Sequence, residues 1–241
     1  MSSNGLESNY KLVNTDDESP SLQWKEFEIM HHSGGAYSET QYIYGDLIRL
    51  CFASLSEKKS LSFLSLGLGL GYNELLIVCE ALKNRYAGDL RILSYESDSG
   101  LKTNFLQWLG GESVVFKEAY DKMFSFFARD YGILAEQARA NLLKISRSGN
   151  WELAGALAAN SIVAFPAEAI LYDAFSSKTS PELWTEEFLD SFFARSTGPQ
   201  SFIGTYACTG VLKRSLTKAG FQFEKRPGFS GKRNCSRATR L

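Results

Sequence analysis

The chain has 241 residues, 44% hydrophobic and 22% charged, with a formal net charge of -1. That composition suits one large α/β domain with a real core, and it argues against a disordered chain or a general polyanion binder. The near-neutral total hides an asymmetry: from Val211 onward the chain carries nine basic residues and one acid, a local +8 against −9 in the rest, which points to a local anionic partner.

The first 21 residues are polar and acidic and have no apolar core of a signal peptide. No run reaches the roughly 18 apolar residues that a membrane helix needs. Cys51, Cys79, Cys208 and Cys235 lie far apart without a C-x-x-C pair, so they read as reduced thiols. His31 and His32 are the only histidines, which excludes a multi-histidine metal centre. The expectation is a cytoplasmic protein with no membrane segment and no metal.

In chain order, residues 10–13 and 22–30 read as short strands around a polar turn. Residues 39–59 read as a helix with Tyr42, Ile43, Leu47, Leu50 and Leu55 on one side. The apolar run 61–66 stops at glycine, as a buried parallel strand does. A helix over 72–84, a strand over 90–95 ending at Glu96, and a helix over 99–109 follow. Residues 118–146 are helical in composition and read as an insertion packed on the sheet. Residues 151–167 are unusually Ala-rich. A strand over 167–172 ends at Asp173, a helix begins at Pro181, and a strand over 201–206 precedes a helix over 210–219. Residues 221–225 and 234–239 read as a closing hairpin. Strand, glycine turn, helix, strand is the opening of a doubly wound sheet.

The turn Gly67-Leu68-Gly69-Leu70-Gly71-Tyr72 lets the chain bend sharply and lets a ligand approach the backbone at a helix N-terminus. Glu96 at the next strand tip is placed to hydrogen-bond two ribose hydroxyls. The spacing is G-x-G-x-G rather than the dinucleotide G-x-G-x-x-G. Tyr72 stands where a pyrophosphate needs glycine, which favours S-adenosyl-L-methionine over NAD. An NAD-dependent oxidoreductase and a catalytically silent RNA-binding module of the same fold remain as alternatives.

Asp173-Ala174-Phe175 sits at a strand end on the ligand side of such a sheet. A carboxylate there can accept a hydrogen bond from an amine and help shed its proton, and the aromatic ring can hold a flat base. Lys178 on the same loop and Trp184 beyond it join the substrate candidates. In the basic end, Lys213-Arg214, Lys225-Arg226 and Lys232-Arg233 alternate with Phe221, Phe223 and Phe229, a pattern suited to phosphates beside a splayed loop base.

Several blocks resemble the methyltransferase that completes the 5-methylaminomethyl group on the wobble uridine of certain transfer RNAs. They are residues 30–42 (Met30-His31-His32-Ser33-Gly34-Gly35-Ala36-Tyr37-Ser38-Glu39-Thr40-Gln41-Tyr42), the glycine turn with Asn73, and Tyr172-Asp173-Ala174-Phe175 through Pro181-Glu182-Leu183-Trp184-Thr185. Thr205 to Arg214, Ala219-Gly220-Phe221 and Pro227 to Arg233 complete the set.

The resemblance implies a class I S-adenosylmethionine methyltransferase fold: a Rossmann-like doubly wound sheet with a C-terminal antiparallel hairpin, an N-terminal strand and helix extension, and a helical insertion. As one domain, 1–241 divides into an extension (1–60), a glycine-turn half (61–118), the insertion (119–150) and a catalytic-loop half (151–241). The implied reaction is methylation of the 5-aminomethyl nitrogen of uridine 34, with the anticodon stem-loop of tRNA as partner and upstream enzymes supplying the aminomethyl group. Because the chain ends after the basic hairpin, the implied form is the stand-alone one. Gly67, Gly69, Gly71, Asn73, Glu96 and Glu39 would line the donor site. Asp173 would lie next to the transferred methyl, Phe175 near the base, and His32 in the pocket. Two departures stand out: Gly155-Ala156 replaces the family's Gly-Asp, whose Asp contacts the adenine amino group, and Gly-Leu-Gly-Leu-Gly replaces Gly-Phe-Gly-Thr-Gly.

Overall fold

The computed structural model describes residues 4–25, 28–161, 163–231 and 234–241. Helix α1 (Asn4–Asn9) leads into an antiparallel sheet of β1 (Tyr10–Asn14), β2 (Pro20–Trp24) and β3 (Glu28–Ile29). The single strand expected over 22–30 is divided, and Lys25 at φ 52 marks the break. The β1–β2 turn is built on Asp17, whose carboxylate accepts from the Ser19 N–H (3.0 Å) and, across the chain, from the Ser38 N–H (3.0 Å) and hydroxyl (2.6 Å). Burial opposes ionisation there, yet the donors on Ser19, Ser38 and Thr15 hold the Asp17 carboxyl at about 2. This pins the extension to the start of the next helix.

The helix expected over 39–59 begins earlier and is interrupted: α2 (Ala36–Thr40), a π turn over Gln41–Gly45, then α3 (Asp46–Leu55). β4 (Ser60–Leu66), α4 (Tyr72–Lys83), β5 (Asp89–Tyr95) and α5 (Ser99–Gly110) follow the sequence reading closely. Asp98 caps α5, accepting from the Gly100 N–H (2.7 Å) and the Leu101 N–H (3.2 Å).

The insertion is two helices, α6 (Lys117–Tyr131) and α7 (Ala135–Arg147), divided where Gly132 adopts φ 64. They pack mainly on α4; α7 also meets α5 and the sheet strand that follows it, and α6 meets β2, so the insertion reaches the main sheet only at its edge. The Ala-rich segment begins with a strand the sequence did not announce, β6 (Trp151–Ala154), paired parallel to β5 from Ile92↔Trp151 onward. β7 (Ala167–Tyr172) ends at the Asp173 loop. Pro181–Trp184 form a 3-10 turn, so α8 (Glu186–Ser196) starts five residues after the expected Pro181. β8 (Thr197–Thr205), α9 (Gly210–Lys218), β9 (Gln222–Pro227) and β10 (Asn234–Arg240) complete the chain.

The main sheet has the order β6-β5-β4-β7-β8-β10-β9. β6, β5, β4, β7 and β8 run parallel, and β10 is antiparallel to both β8 and β9. Period-two alternation divides the strand side chains between two cores. Leu61, Phe63 and Ile92 join the layer under α3 to α7, whereas Leu64, Leu66, Leu93 and Tyr95 face α8 and α9. The strand order reverses at β4, between β5 and β7. That places a ligand crevice beyond the carboxyl ends of these strands.

Candidate functional site

A cavity of about 280 Å³ lies at that crevice. Its floor is the glycine turn. Gly67 (φ 80) accepts no side chain easily, because a Cβ would sit 3.1 Å from the Asp173 carbonyl oxygen. Gly71 (φ 89) has another role: it precedes α4, and a Cβ there would meet Phe105 of α5 at 2.5 Å, so it lets the turn pack against that helix and does not line the cavity. Gly67, Gly69, Asn73 and Glu96 all line it.

Glu96 accepts from the Gly69 N–H (3.1 Å) and the Asp98 N–H (2.9 Å), tying the turn to the tip of β5. Burial raises its pKa against those hydrogen bonds. Asn73 is buried at 4% exposure, and its Oδ1 has no hydrogen-bond partner. A buried amide oxygen without a partner, on a residue that lines the cavity, is an unmet acceptor. These residues fit a donor carrying ribose hydroxyls and an ammonium group.

The N-terminal extension supplies the opposite wall through Glu28, Ile29, Met30, His31 and Glu39. Glu39 accepts from the His32 N–H at 2.6 Å, which fixes the chain entering α2. Of the two histidines, His31 lines the cavity, bonded to the Ser21 hydroxyl (2.9 Å) and edge-on to Tyr72 (4.9 Å). His32, the expected pocket residue, instead accepts the Gly34 N–H on Nδ1 (2.9 Å) and packs edge-on to Phe229. The alternation of the two side chains decides this, and nothing local in the sequence indicated which one faces inward.

Asp173, Ala174, Phe175 and Ser176 form the third wall. The loop is anchored by Tyr206, whose hydroxyl donates to the Ala174 carbonyl (2.8 Å), and by Trp184, whose Nε1 donates to the Phe175 carbonyl (2.8 Å). Trp184 is therefore a buried support packed on Tyr172 (5.1 Å), outside the cavity lining. Burial first, then the carboxylates of Asp173, Glu28 and Glu39, raise the Tyr206 hydroxyl pKa. Those three acids thus converge on one end of the cavity. Burial and then Asp173 do the same for Tyr44, a fully enclosed hydroxyl that the sequence did not single out. Ala156 and Leu157, just beyond β6, also line the cavity, so the departure from the family's Gly-Asp lies at the site itself. Among the described lining residues there are five carboxylates and no Lys or Arg, a field that favours cationic ligands.

The basic end is less bare than its charge suggests. Arg214 pairs with Glu186 (2.7 Å), Lys218 with Asp190 (2.6 Å), Arg226 with Asp46 (3.1 Å) and Arg237 with Glu224 (2.6 Å). Arg240 donates to the Thr197 hydroxyl (2.8 Å) and to backbone carbonyls. Lys213, Lys225 and Lys178 are exposed, on α9, β9 and the Asp173 loop. Lys232 and Arg233 lie outside the described residues. The structure gathers Gly67, Gly69, Asn73, Glu96, Glu39, Asp173 and Phe175 around one cavity and leaves Lys213, Arg214, Lys225 and Arg226 outside its lining. Among the described residues no helix is long and apolar enough to cross a membrane, and no group of three or more His, Cys, Asp or Glu is placed to hold a metal. All four cysteines are free.

A family described as S-adenosyl-L-methionine-dependent methyltransferase matches residues 150–241. Two similar proteins carry the name tRNA 5-methylaminomethyl-2-thiouridine biosynthesis bifunctional protein. That of Caulobacter sp. (strain K31) is 40% identical over 67 residues, covering 28% of this chain and 11% of the relative. That of Azoarcus sp. (strain BH72) is 36% identical over 75 residues, covering 31% and 12%. The matched stretches thus span only a small part of these longer relatives. The crystal structure of MnmC2 from Aquifex aeolicus superposes with a TM-score of 0.68 at 23% identity, covering 96% of this chain and 70% of that one, and shares the class I fold. The match over residues 150–241 favours the methyl donor over a nicotinamide cofactor. Residues 150–241 are thus similar to a family of S-adenosyl-L-methionine-dependent methyltransferases, part of the chain is similar to the tRNA 5-methylaminomethyl-2-thiouridine biosynthesis proteins, and the chain has the class I fold.

Proposed function

We propose that the chain methylates the 5-aminomethyl nitrogen of wobble uridine 34 in tRNA, giving 5-methylaminomethyl(-2-thio)uridine. The observation that carries this is Asp173 at the end of β7, in one cavity with the glycine turn and with Phe175 two residues on. The donor supplies a methyl on a positively charged sulfur, open to in-line attack by an uncharged amine. Gly67, Gly69, Asn73, Glu96 and Glu39 would hold it. Asp173 accepts a hydrogen bond from the amine, orients its lone pair and takes up the proton released as the new N–C bond forms. Phe175 offers a flat face to the base, and the Tyr206 and Trp184 hydrogen bonds keep both side chains in register. The acidic lining favours an amine over a carboxylate or phosphate acceptor.

A loop base must be unstacked to reach such a cavity. Lys178, Lys213, Lys225, Lys232 and Arg233, together with Arg214 released from an exposed ion pair worth little in water, would contact the anticodon stem-loop, with the half-buried Arg226 beside them. The aminomethyl group would be supplied by upstream enzymes. Asp173→Asn tests the assignment. Turnover on tRNA lacking the terminal methyl should fall by about 10²-fold or more, as expected for loss of a general base, while donor affinity by calorimetry stays within a few-fold. An equal loss in both would remove Asp173 from the acceptor side.

A further inference from the structure

The loop between β7 and the Pro181 turn is held in two halves. Its inner half, at Ala174 and Phe175, is fastened to the body of the fold by Tyr206 and Trp184. Its outer half, residues 176–180, is held from a distant part of the chain. The Ser176 hydroxyl donates to Glu28 Oε1 (3.0 Å), and the Thr179 hydroxyl donates to Glu28 Oε2 (2.8 Å). Among the described residues, every side-chain hydrogen bond from this half to the rest of the chain ends on Glu28. Beside them, Trp24 of β2 lies against Phe175 with ring centroids 6.1 Å apart.

A carboxylate that accepts with both oxygens makes charge-assisted bonds stronger than neutral ones. Here it joins a two-residue strand, β3, to a loop, and both contribute to the cavity wall through Glu28, Ser176 and Ser180. Parting those bonds would open the acceptor end while leaving the glycine turn untouched.

We propose that Glu28 is a positioning residue: its carboxylate latches residues 176–179 onto β3 and so holds Asp173 and Phe175 in place against the acceptor. The effect on turnover rests on the methyl-transfer reading above, whereas the latch itself does not. Two opening routes give the same result. Glu28→Ala removes both acceptors, and the paired Ser176→Ala, Thr179→Val change removes both donors. Glu28→Gln keeps the shape but turns one acceptor into a donor.

The test is hydrogen exchange at the Thr179 and Ser180 amides, which bond to the Ser176 carbonyl at 2.9 and 2.8 Å. It uses the full chain without donor or RNA. Glu28→Ala and the paired loop change should each speed exchange by about ten-fold, the size expected from losing hydrogen bonds to a charged group. Combining all three substitutions should add little more, and Glu28→Gln should lie between. With tRNA as acceptor, kcat should fall in the same order while donor affinity holds. Unchanged exchange, or fully additive effects, would overturn the latch. Because Ser176 is only partly buried and Thr179 is exposed, the paired loop change retains the fold and carries the test if Glu28→Ala does not. Should exchange respond but no methyl reach tRNA, the latch stands and the substrate assignment fails.

Discussion

Glu74 offers the clearest quantitative test of the packing beneath the site. It follows Asn73 on the first turn of α4 and is fully buried. One carboxyl oxygen accepts from the Ser94 hydroxyl at 2.6 Å, and that hydroxyl also receives the Trp151 Nε1–H at 3.0 Å. The other oxygen, Oε2, has no hydrogen-bond partner. Burial raises the Glu74 pKa from 4.5 to about 7; the Ser94 and Ser65 hydroxyls oppose the shift and the Glu96 carboxylate adds to it. An acid whose pKa is raised by folding favours the folded state in its protonated form. Its contribution is complete below about 4.5 and is lost as pH climbs through 7. At 1.36 kcal/mol for each tenfold change, the ceiling on the loss is about 3 kcal/mol. For a chain of this size that corresponds to roughly 6 to 12 °C in Tm. Glu74→Gln removes the titration, while any packing cost of the amide is the same at every pH. The difference in Tm between variant and parent, followed by calorimetry from pH 5 to 8.5, should therefore move in favour of the variant, mostly between about pH 5 and 7, and level off above that. A difference that stays flat with pH would refute the reasoning.

Ala156 lines the cavity where the resembling family carries an Asp, so Ala156→Asp should tighten S-adenosyl-L-methionine binding by about three- to ten-fold in calorimetry, the scale of one added hydrogen bond; weaker binding would mean that the adenine amino group lies elsewhere. Lys213→Ala and Lys225→Ala should each weaken tRNA binding and reduce the slope of log affinity against log salt by about one, read by filter binding across a salt series. Unchanged slopes would move the RNA footprint away from α9 and β9.

What was legible in the sequence was local. The run 61–66 and the glycine turn announce a buried parallel strand and a helix N-terminus through contiguous residues, and both stand where they were expected. The Asp173 loop was legible for the same reason, since a strand end and an aromatic two residues later are read together. The less legible features depend on distant partners. Which histidine enters the cavity is settled by His32 folding back onto Gly34 and by Ser21 meeting His31. The short β6 hides in an Ala-rich stretch because its signal is pairing with β5. The charge of the C-terminal segment looked free because its acids lie far off in sequence: Glu186 and Asp190 on α8 meet Arg214 and Lys218 on α9, 28 residues away in each case. Glu28 gave no local sign of its role, since its partners are 148 and 151 residues distant.

The central claim is the acceptor atom, and nucleoside mass spectrometry reads it directly. tRNA bearing 5-aminomethyl(-2-thio)uridine at position 34 is incubated with the purified chain and methyl-labelled S-adenosyl-L-methionine, digested, and separated. One labelled methyl is expected on the aminomethyl nitrogen, with no label at other positions and an initial rate lowered by about 10²-fold or more when Asp173 is Asn. Label on another nucleoside, or tRNA that stays unlabelled although the protein binds the donor, would contradict it.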